Sequence, residues 1–262
     1  ITWFKRNVTF ISMSKTQSFY QSILQNSTLV VKVSGKICDN QQSIENVIGD
    51  IKELLSTITK LKVVLVFGFG RQLDHYMKNV HQIEPKKVNG RRITSQDDIE
   101  AAKKISGQIL IDIFSLSSRY NIRNFPIPIS KKDFIAAKKR DFVDGIDFGQ
   151  VGDVVSVDAL EIQKLFKEHD MIIMPSLVLD KNTADVLNVN ADTIATELAV
   201  NLSASKLIFI SDVPYIKDLN GERISSVDEN VAKKLFDEKI ISDGMVVKVE
   251  NSLKALNQGV QK

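Results

Sequence analysis

The sequence predicts an α/β domain with a mainly parallel sheet covered by helices, and two observations carry that prediction. Short β-branched runs alternate with segments of helical spacing along most of the chain, the pattern that crossover connections impose. Several apolar runs are followed at once by loops that combine glycine, small residues and charge.

The elements follow in order. Leu29–Val33 reads as the first strand and Ser43–Leu55 as a helix. Lys62–Phe67 is a second buried strand, succeeded by Gly68-Phe69-Gly70 and a helix through Lys78. Asp97–Leu116 is a long amphipathic helix. Ile172–Leu177 and Leu207–Ile210 are further apolar strands, with a helix over Ala191–Leu202 opening after Asn190. A last helix runs from near Gly244 to about Leu256. Between Asn121 and Gly152 the chain is richer in turns and charge, with Pro126, Pro128 and the run Lys138-Lys139-Arg140, and predicts hairpins or an edge excursion rather than a domain break.

The totals bound the function. With 262 residues, 43% of them hydrophobic, the chain can bury one large domain or two lobes sharing a sheet. Its 35 basic and 32 acidic residues leave a net charge of +3, which gives no electrostatic case for nucleic acid as a partner. Cys38 is the only cysteine, which excludes an intrachain disulfide, and His75, His81 and His169 are too dispersed for a zinc site, so no metal ligands are expected. No apolar run approaches the ~20 residues of a membrane span.

Three loops after apolar strands carry the chemistry: Lys32-Val33-Ser34-Gly35-Lys36, Gly68-Phe69-Gly70, and Asp243-Gly244-Met245 with Lys248 one turn on. Glycine lets backbone N–H groups approach phosphate oxygens, and lysine neutralises charge that builds up between donor and acceptor. Such tools suit phosphoryl transfer, which is mostly positioning and charge stabilisation. Each glycine taken singly has a plainer reading as a strand end or helix start. In Asn188-Val189-Asn190-Ala191-Asp192, Asn190 fits a helix cap and Asp192 the first turn, or else Asp192 orients the two lysines. In Asn89-Gly90-Arg91-Arg92-Ile93-Thr94, an arginine suits bidentate binding of a carboxylate, and an ordinary exposed turn accounts for the pattern equally well.

Together these pieces resemble the amino-acid-kinase family in its acetylglutamate branch. The order Lys-x-Ser-Gly, Gly-x-Gly, Asn-Gly-x-Arg-Ile-Thr, Asn-Val-Asn-Ala-Asp, Ser-Asp-Val-Pro and Asp-Gly-Met-x-x-Lys-Val spans residues 30–250, and six motifs in register are far more specific than one. The resemblance implies the three-layer α/β/α fold of that family over residues 29–262, preceded by a helical segment over 1–28. It implies that Lys32 and Lys248 stabilise the transferring phosphoryl group while Asp192 organises them. Gly35, Gly68 and Gly70 match phosphate-facing glycines, Arg92 and Asn188 the residues holding the acetylated amino acid, and Ser211 and Asp212 the nucleotide site.

Two activities occur in this branch. Kinases of the branch show His-Gly-Gly-Gly where this chain has Phe67-Gly68-Phe69-Gly70, and a ring at Phe69 is expected to stand where substrate or phosphate approaches. Other segments resemble the synthases, which make acetylglutamate from L-glutamate and acetyl-CoA. These are Trp3-Phe4-Lys5 with Thr9-Phe10-Ile11, the helix around Ala101–Gly107, and Ala136–Arg140 leading into Val143–Gly149. That resemblance implies a kinase-like, L-arginine-sensing domain in a homo-oligomer, with Phe10 in the allosteric site. It places the protein in the cytoplasm, or in a plastid or mitochondrion if it is eukaryotic. The chain opens on Ile1 and stops before the last strand of the family pattern, so it reads as part of a longer protein whose acetyltransferase domain is not in view. The alternatives are an acetylglutamate kinase using ATP and magnesium, for which the retained Lys32, Asp192 and Lys248 speak, and a non-catalytic arginine-binding regulator.

Overall fold

The computed structural model describes residues 22–88, 91–129, 134–213, 215–218, 221–241 and 243–260. The elements in chain order are β1 (Thr28–Val33), α1 (Gly35–Cys38), α2 (Gln41–Thr57), β2 (Lys62–Phe67), α3 (Gly70–Val80), β3 (Lys87–Val88), β4 (Arg91–Arg92) and α4 (Gln96–Arg119). They continue with β5 (Asn124–Pro126), β6 (Ile135–Lys139), β7 (Gly152–Val157), α5 (Ala159–Leu165), β8 (Met171–Pro175), β9 (Leu177–Leu179), β10 (Val186–Asn188) and α6 (Ala191–Asn201). The last are β11 (Lys206–Ile210), β12 (Ile216–Lys217), β13 (Arg223–Ile224), α7 (Glu229–Asp237) and α8 (Asp243–Asn257).

Five strands form one sheet in the order β11-β1-β2-β8-β5, and every pair in it is parallel. Strands buried on both faces need continuous apolar runs, and Lys-Val-Val-Leu-Val-Phe in β2 is such a run. The pleat then sorts alternate side chains to opposite faces. Val63, Leu65 and Phe67 join a core with α2, α3 and α4, whereas Val64 and Val66 join a second core with α5, α6 and the end of α8. The result is a three-layer α/β/α sandwich. A third, smaller cluster gathers Ile216, Val227, Ala232, Leu235, Ile241 and Val249 around α7 and the first half of α8.

The chain between Asn121 and Gly152 does what its turn residues predict. β5 adds the sheet's edge strand, and β6 pairs antiparallel with β7 outside the sheet, with a register shift between Ala136 and Ala137. The predicted N-terminal helical segment, including Phe10, lies outside the described residues apart from its last few positions.

In the sheet, β2 lies on one side of β1 while β11 returns to the other. The carboxyl ends of β1 and β11 therefore flank a switch point, where α/β sheets open a crevice for ligands. Ser34 donates its N–H to the Ile210 carbonyl at 3.0 Å, which fixes the two strand ends against each other.

Candidate active site

Lys32 is the penultimate residue of β1 and shares the parity of Val30, so its side chain leaves the sheet on the α6 side. Asn190 caps α6, accepting from the Asp192 N–H at 2.8 Å and the Thr193 N–H at 3.1 Å. That cap sets Asp192 in the first turn, facing β1. The cap reading and the site reading of this motif are both fulfilled, by different residues. Asp192 Oδ1 lies 2.6 Å from Lys32 Nζ, and its Oδ2 lies 2.6 Å from Lys248 Nζ, brought in by α8. The Lys32 and Asp192 side chains are only 7% and 5% exposed.

One carboxylate thus serves two ammonium groups, and the buried group carries a net positive charge. The two sides of the pair respond differently to that imbalance. Burial pushes Lys32 below its ordinary range; Asp192 opposes this and the neighbouring Lys248 adds to it. Burial alone would raise the Asp192 carboxyl, but Lys32 and Lys248 outweigh it and hold it low. The carboxylate is secure and the cations are under-compensated, so an anion entering here completes the charge balance.

The glycine loops stand beside this triad. A side chain at Gly35 would displace the Gln72 amide and come within 3.2 Å of the Gly68 carbonyl, so glycine suits the close approach of the two loops. Gln72 donates Nε2–H to the Gly35 carbonyl at 2.8 Å and ties α3 to the β1 loop. At Gly70, by contrast, an added Cβ meets nothing within 4 Å. Ser34 Oγ is buried without a hydrogen-bond partner. Open space at Gly70 and an unpaired hydroxyl at the β1 turn fit phosphate oxygens. Across the crevice Lys36 Nζ reaches Asp212 Oδ2 at 2.8 Å, a bridge between exposed side chains from α1 and the loop after β11 that also carries Ser211. The Lys36 hydrogen bond is the main reason the Asp212 carboxyl is held low.

Phe69 corrects the sequence expectation. Phe69 is 2% exposed and belongs with Phe67, Leu73 and Met77 to the first core. Its backbone, at φ −133° and ψ 12° ahead of α3, turns the side chain inward. The ring is committed to the core beneath the loop.

Arg92 is also more engaged than the sequence predicts. It lies on β4, paired with β3 in a short hairpin, and its guanidinium contacts both Asp74 of α3 and Asp98 of α4. Asn188, at the end of β10, donates to Thr94 Oγ1 at 3.1 Å and links the Arg92 segment to the start of α6. Thr94 is held in turn by the 148–150 segment, where Gln150 N–H donates to its carbonyl at 2.7 Å. Gly149 permits that contact, with φ +68° and no room for a Cβ against the Thr94 carbonyl. Asp74, Asp98, Gln72 and Thr94 escaped the sequence reading. Ser95-x-x-Asp98 is a capping pattern and gave a signal for Asp98; nothing comparable marks Asp74.

Cys38 takes no visible part, since burial first of all pushes its thiol up to about 12 and keeps it protonated. Among the described residues no cluster of His, Cys, Asp or Glu could hold a metal ion, and no helix is long and apolar enough to cross a membrane.

A parallel α/β sandwich with two buried lysines on one carboxylate, set among glycine turns at the strand ends, defines a class of anion-handling domains. The chain belongs to the Amino acid kinase family, whose pattern matches residues 27–262. An acetylglutamate kinase of Hydrogenobaculum sp. (strain Y04AAS1) is 32% identical over 238 residues, covering 89% of this chain and 81% of that protein. An acetylglutamate kinase of Methanoculleus marisnigri is 29% identical over 266 residues, covering 98% and 89%. Among solved structures, the N-acetylglutamate synthase of Neisseria gonorrhoeae complexed with coenzyme A and N-acetyl-glutamate superposes with a TM-score of 0.82 at 19% identity, over 94% of this chain and 57% of that one. At that identity the likeness is one of fold.

Proposed function

We propose that this chain is an acetylglutamate kinase, transferring the γ-phosphoryl group of magnesium-bound ATP to the side-chain carboxylate of N-acetyl-L-glutamate. The observation that carries this reading is the net positive Lys32–Asp192–Lys248 triad, buried at the carboxyl end of β1. An acceptor carboxylate oxygen attacks the γ-phosphorus, the bond to the β-phosphate oxygen breaks, and ADP leaves. The acceptor is already ionised, so the transfer needs no general base. Asp192, fully committed to two lysines, is consistent with that chemistry. Lys32 and Lys248 stabilise the equatorial charge of the phosphoryl group, while Gly35, Gly68 and Gly70 let backbone N–H groups close on phosphate oxygens. Ser211 and Asp212 border the nucleotide, and Arg92 and Asn188 serve the acceptor.

The kinase names of the relatives, at up to 32% identity, support this reading over the synthase alternative. The burial of Phe69 in the first core supports it as well. The synthase reading, in which acetyl-CoA and L-glutamate are consumed elsewhere in a longer protein, keeps the support of the shared fold. Inhibition or activation by L-arginine and assembly into a homo-oligomer belong to either reading. The deciding experiment measures ADP release from ATP and magnesium with and without N-acetyl-L-glutamate. Acceptor-dependent ADP is the expected result. No ADP from a folded protein whose melting temperature rises with L-arginine would overturn the kinase in favour of a sensing domain.

A further inference from the structure

The Arg92 guanidinium is occupied before any ligand arrives. Nη1 donates to Asp74 and Nη2 to Asp98, and Lys87 Nζ adds a second cation on Asp74 at 2.6 Å. Two cations thus face two carboxylates, and the cluster is neutral. An acceptor that spends one carboxylate at the Lys32–Asp192–Lys248 triad brings a second to be held, and a third carboxylate on this cluster is unfavourable unless one of the first two gives way.

The two aspartates are not equivalent. Asp98 is 8% exposed and built into the start of α4: its Oδ2 accepts from the Ser95 N–H at 2.7 Å and the Ser95 hydroxyl at 2.8 Å, and its own N–H donates to Ser95 Oγ. Moving it breaks a helix cap. Asp74 is 23% exposed, lies one turn beyond Gly70 on α3, and has a second partner in the exposed Lys87. Releasing it strands no charge, because water and Lys87 remain. Arg92 Nε, moreover, is buried with no acceptor, so the guanidinium holds a donor that neither aspartate uses, on the edge it shares with the Nη2 that Asp98 occupies.

We infer that Asp74 is a placeholder on Arg92, displaced by the non-reacting carboxylate of the acceptor, while Asp98 stays and acts as a positioning residue for the guanidinium. The inference rests on the kinase reading only for the identity of that acceptor. It makes the two aspartates act with opposite signs. Asp74 competes with substrate for Arg92, and Asp98 holds Arg92 in place to receive it.

The test compares the unaltered protein with Asp74→Asn and Asp98→Asn, by calorimetric titration of N-acetyl-L-glutamate and by steady-state ADP release. Asparagine keeps an acceptor oxygen at both places, and a melting curve for each variant checks that the fold is intact. Asp74→Asn is expected to tighten binding and lower KM by about threefold to tenfold, and Asp98→Asn to weaken binding by a similar factor, the scale of one net hydrogen bond gained or lost. With the analogue whose α-carboxylate is an amide, the gain in Asp74→Asn disappears. Weaker binding in both folded variants, with normal turnover, overturns the exchange and leaves the kinase reading standing. The expected opposite shifts without any ADP overturn the kinase reading and leave the exchange. Absence of binding in all three proteins overturns both.

Discussion

Two ion clusters in this molecule, one buried and one partly exposed, use the same kinds of side chain in different ratios. Around Asp192 two lysines share one carboxylate, and around Arg92 two cations face two carboxylates. The first is short of negative charge and the second is not. A site with excess buried charge is prepared to take an anion by simple addition, whereas a balanced one takes it by exchange. Ion-pair counts alone, two around Asp192 and three around Arg92, would rate the second the stronger; stoichiometry shows which one is short of an anion.

The largest effects should come from breaking the first cluster. Asp192→Ala removes the anion that Lys32 and Lys248 share, and losing one partner of a buried pair costs about 3–5 kcal/mol of stability. Acceptor-dependent ADP formation should fall by roughly 10²–10³-fold or more, the scale of losing oriented charge at a transition state. Denaturant unfolding and initial rates on the same preparation check both, and an unchanged midpoint would mean the pair is not buried in solution.

Phe69→Ala probes the start of the helix that carries Asp74, which Phe69 heads. Emptying a buried aromatic site costs about 3–5 kcal/mol. Turnover per folded molecule should not rise. An increase in ADP formation would show that the ring stands in the substrate's way after all.

A third and smaller effect is acid sensitivity. The Asp192 and Asp98 carboxyls are both held low in the folded protein, against the pull of burial, by their lysine, arginine and Ser95 partners. A carboxyl depressed on folding gives stability that is present above its ordinary value of 3.8 and lost as pH falls through its folded value. The free energy of unfolding should therefore decline below about pH 4, by about 1.4 kcal/mol per pH unit for each extra proton taken up on unfolding. Asp192→Asn should decline less steeply over the same range in urea melts. Equal slopes would mean Asp192 contributes nothing to the linkage.

The smallest effect is expected at the exposed Lys36–Asp212 bridge. Lys36→Ala should change stability by no more than about 1 kcal/mol. Its influence should appear instead as a few-fold rise in the KM for ATP, larger at low salt because exposed charges are screened.

How far the sequence revealed these regions depended on what periodicity can carry. Four of the five sheet strands and the major helices were legible because buried parallel strands and amphipathic helices write their period into the chain, whereas β5 lay in a stretch read only as turns and an edge excursion; α2 and α4 extend only a turn or less past their predicted limits. Lys32, Asp192 and Lys248 were legible through motif order, and the structure brings all three within ion-pair distance. Phe69 was misread because spacing gives a residue's place in a loop but not the side to which backbone dihedrals send its ring. The Asp74–Arg92–Asp98 cluster was missed for another reason. It joins two helices to a hairpin, and contacts of that kind leave no repeat to read.

The third hydrophobic cluster has a consequence of its own. Lys248 rides on the half of α8 that packs with Ile216, Leu235 and Ile241, apart from the two cores that clamp the sheet. Small clusters of this kind open locally at a lower free energy than the whole domain. In amide hydrogen exchange, α7 and the first turns of α8 should lose protection well before β1, β2 and β8. Low denaturant would then detach one of the two lysines from Asp192 while the sandwich stays closed, and inactivation would run ahead of unfolding.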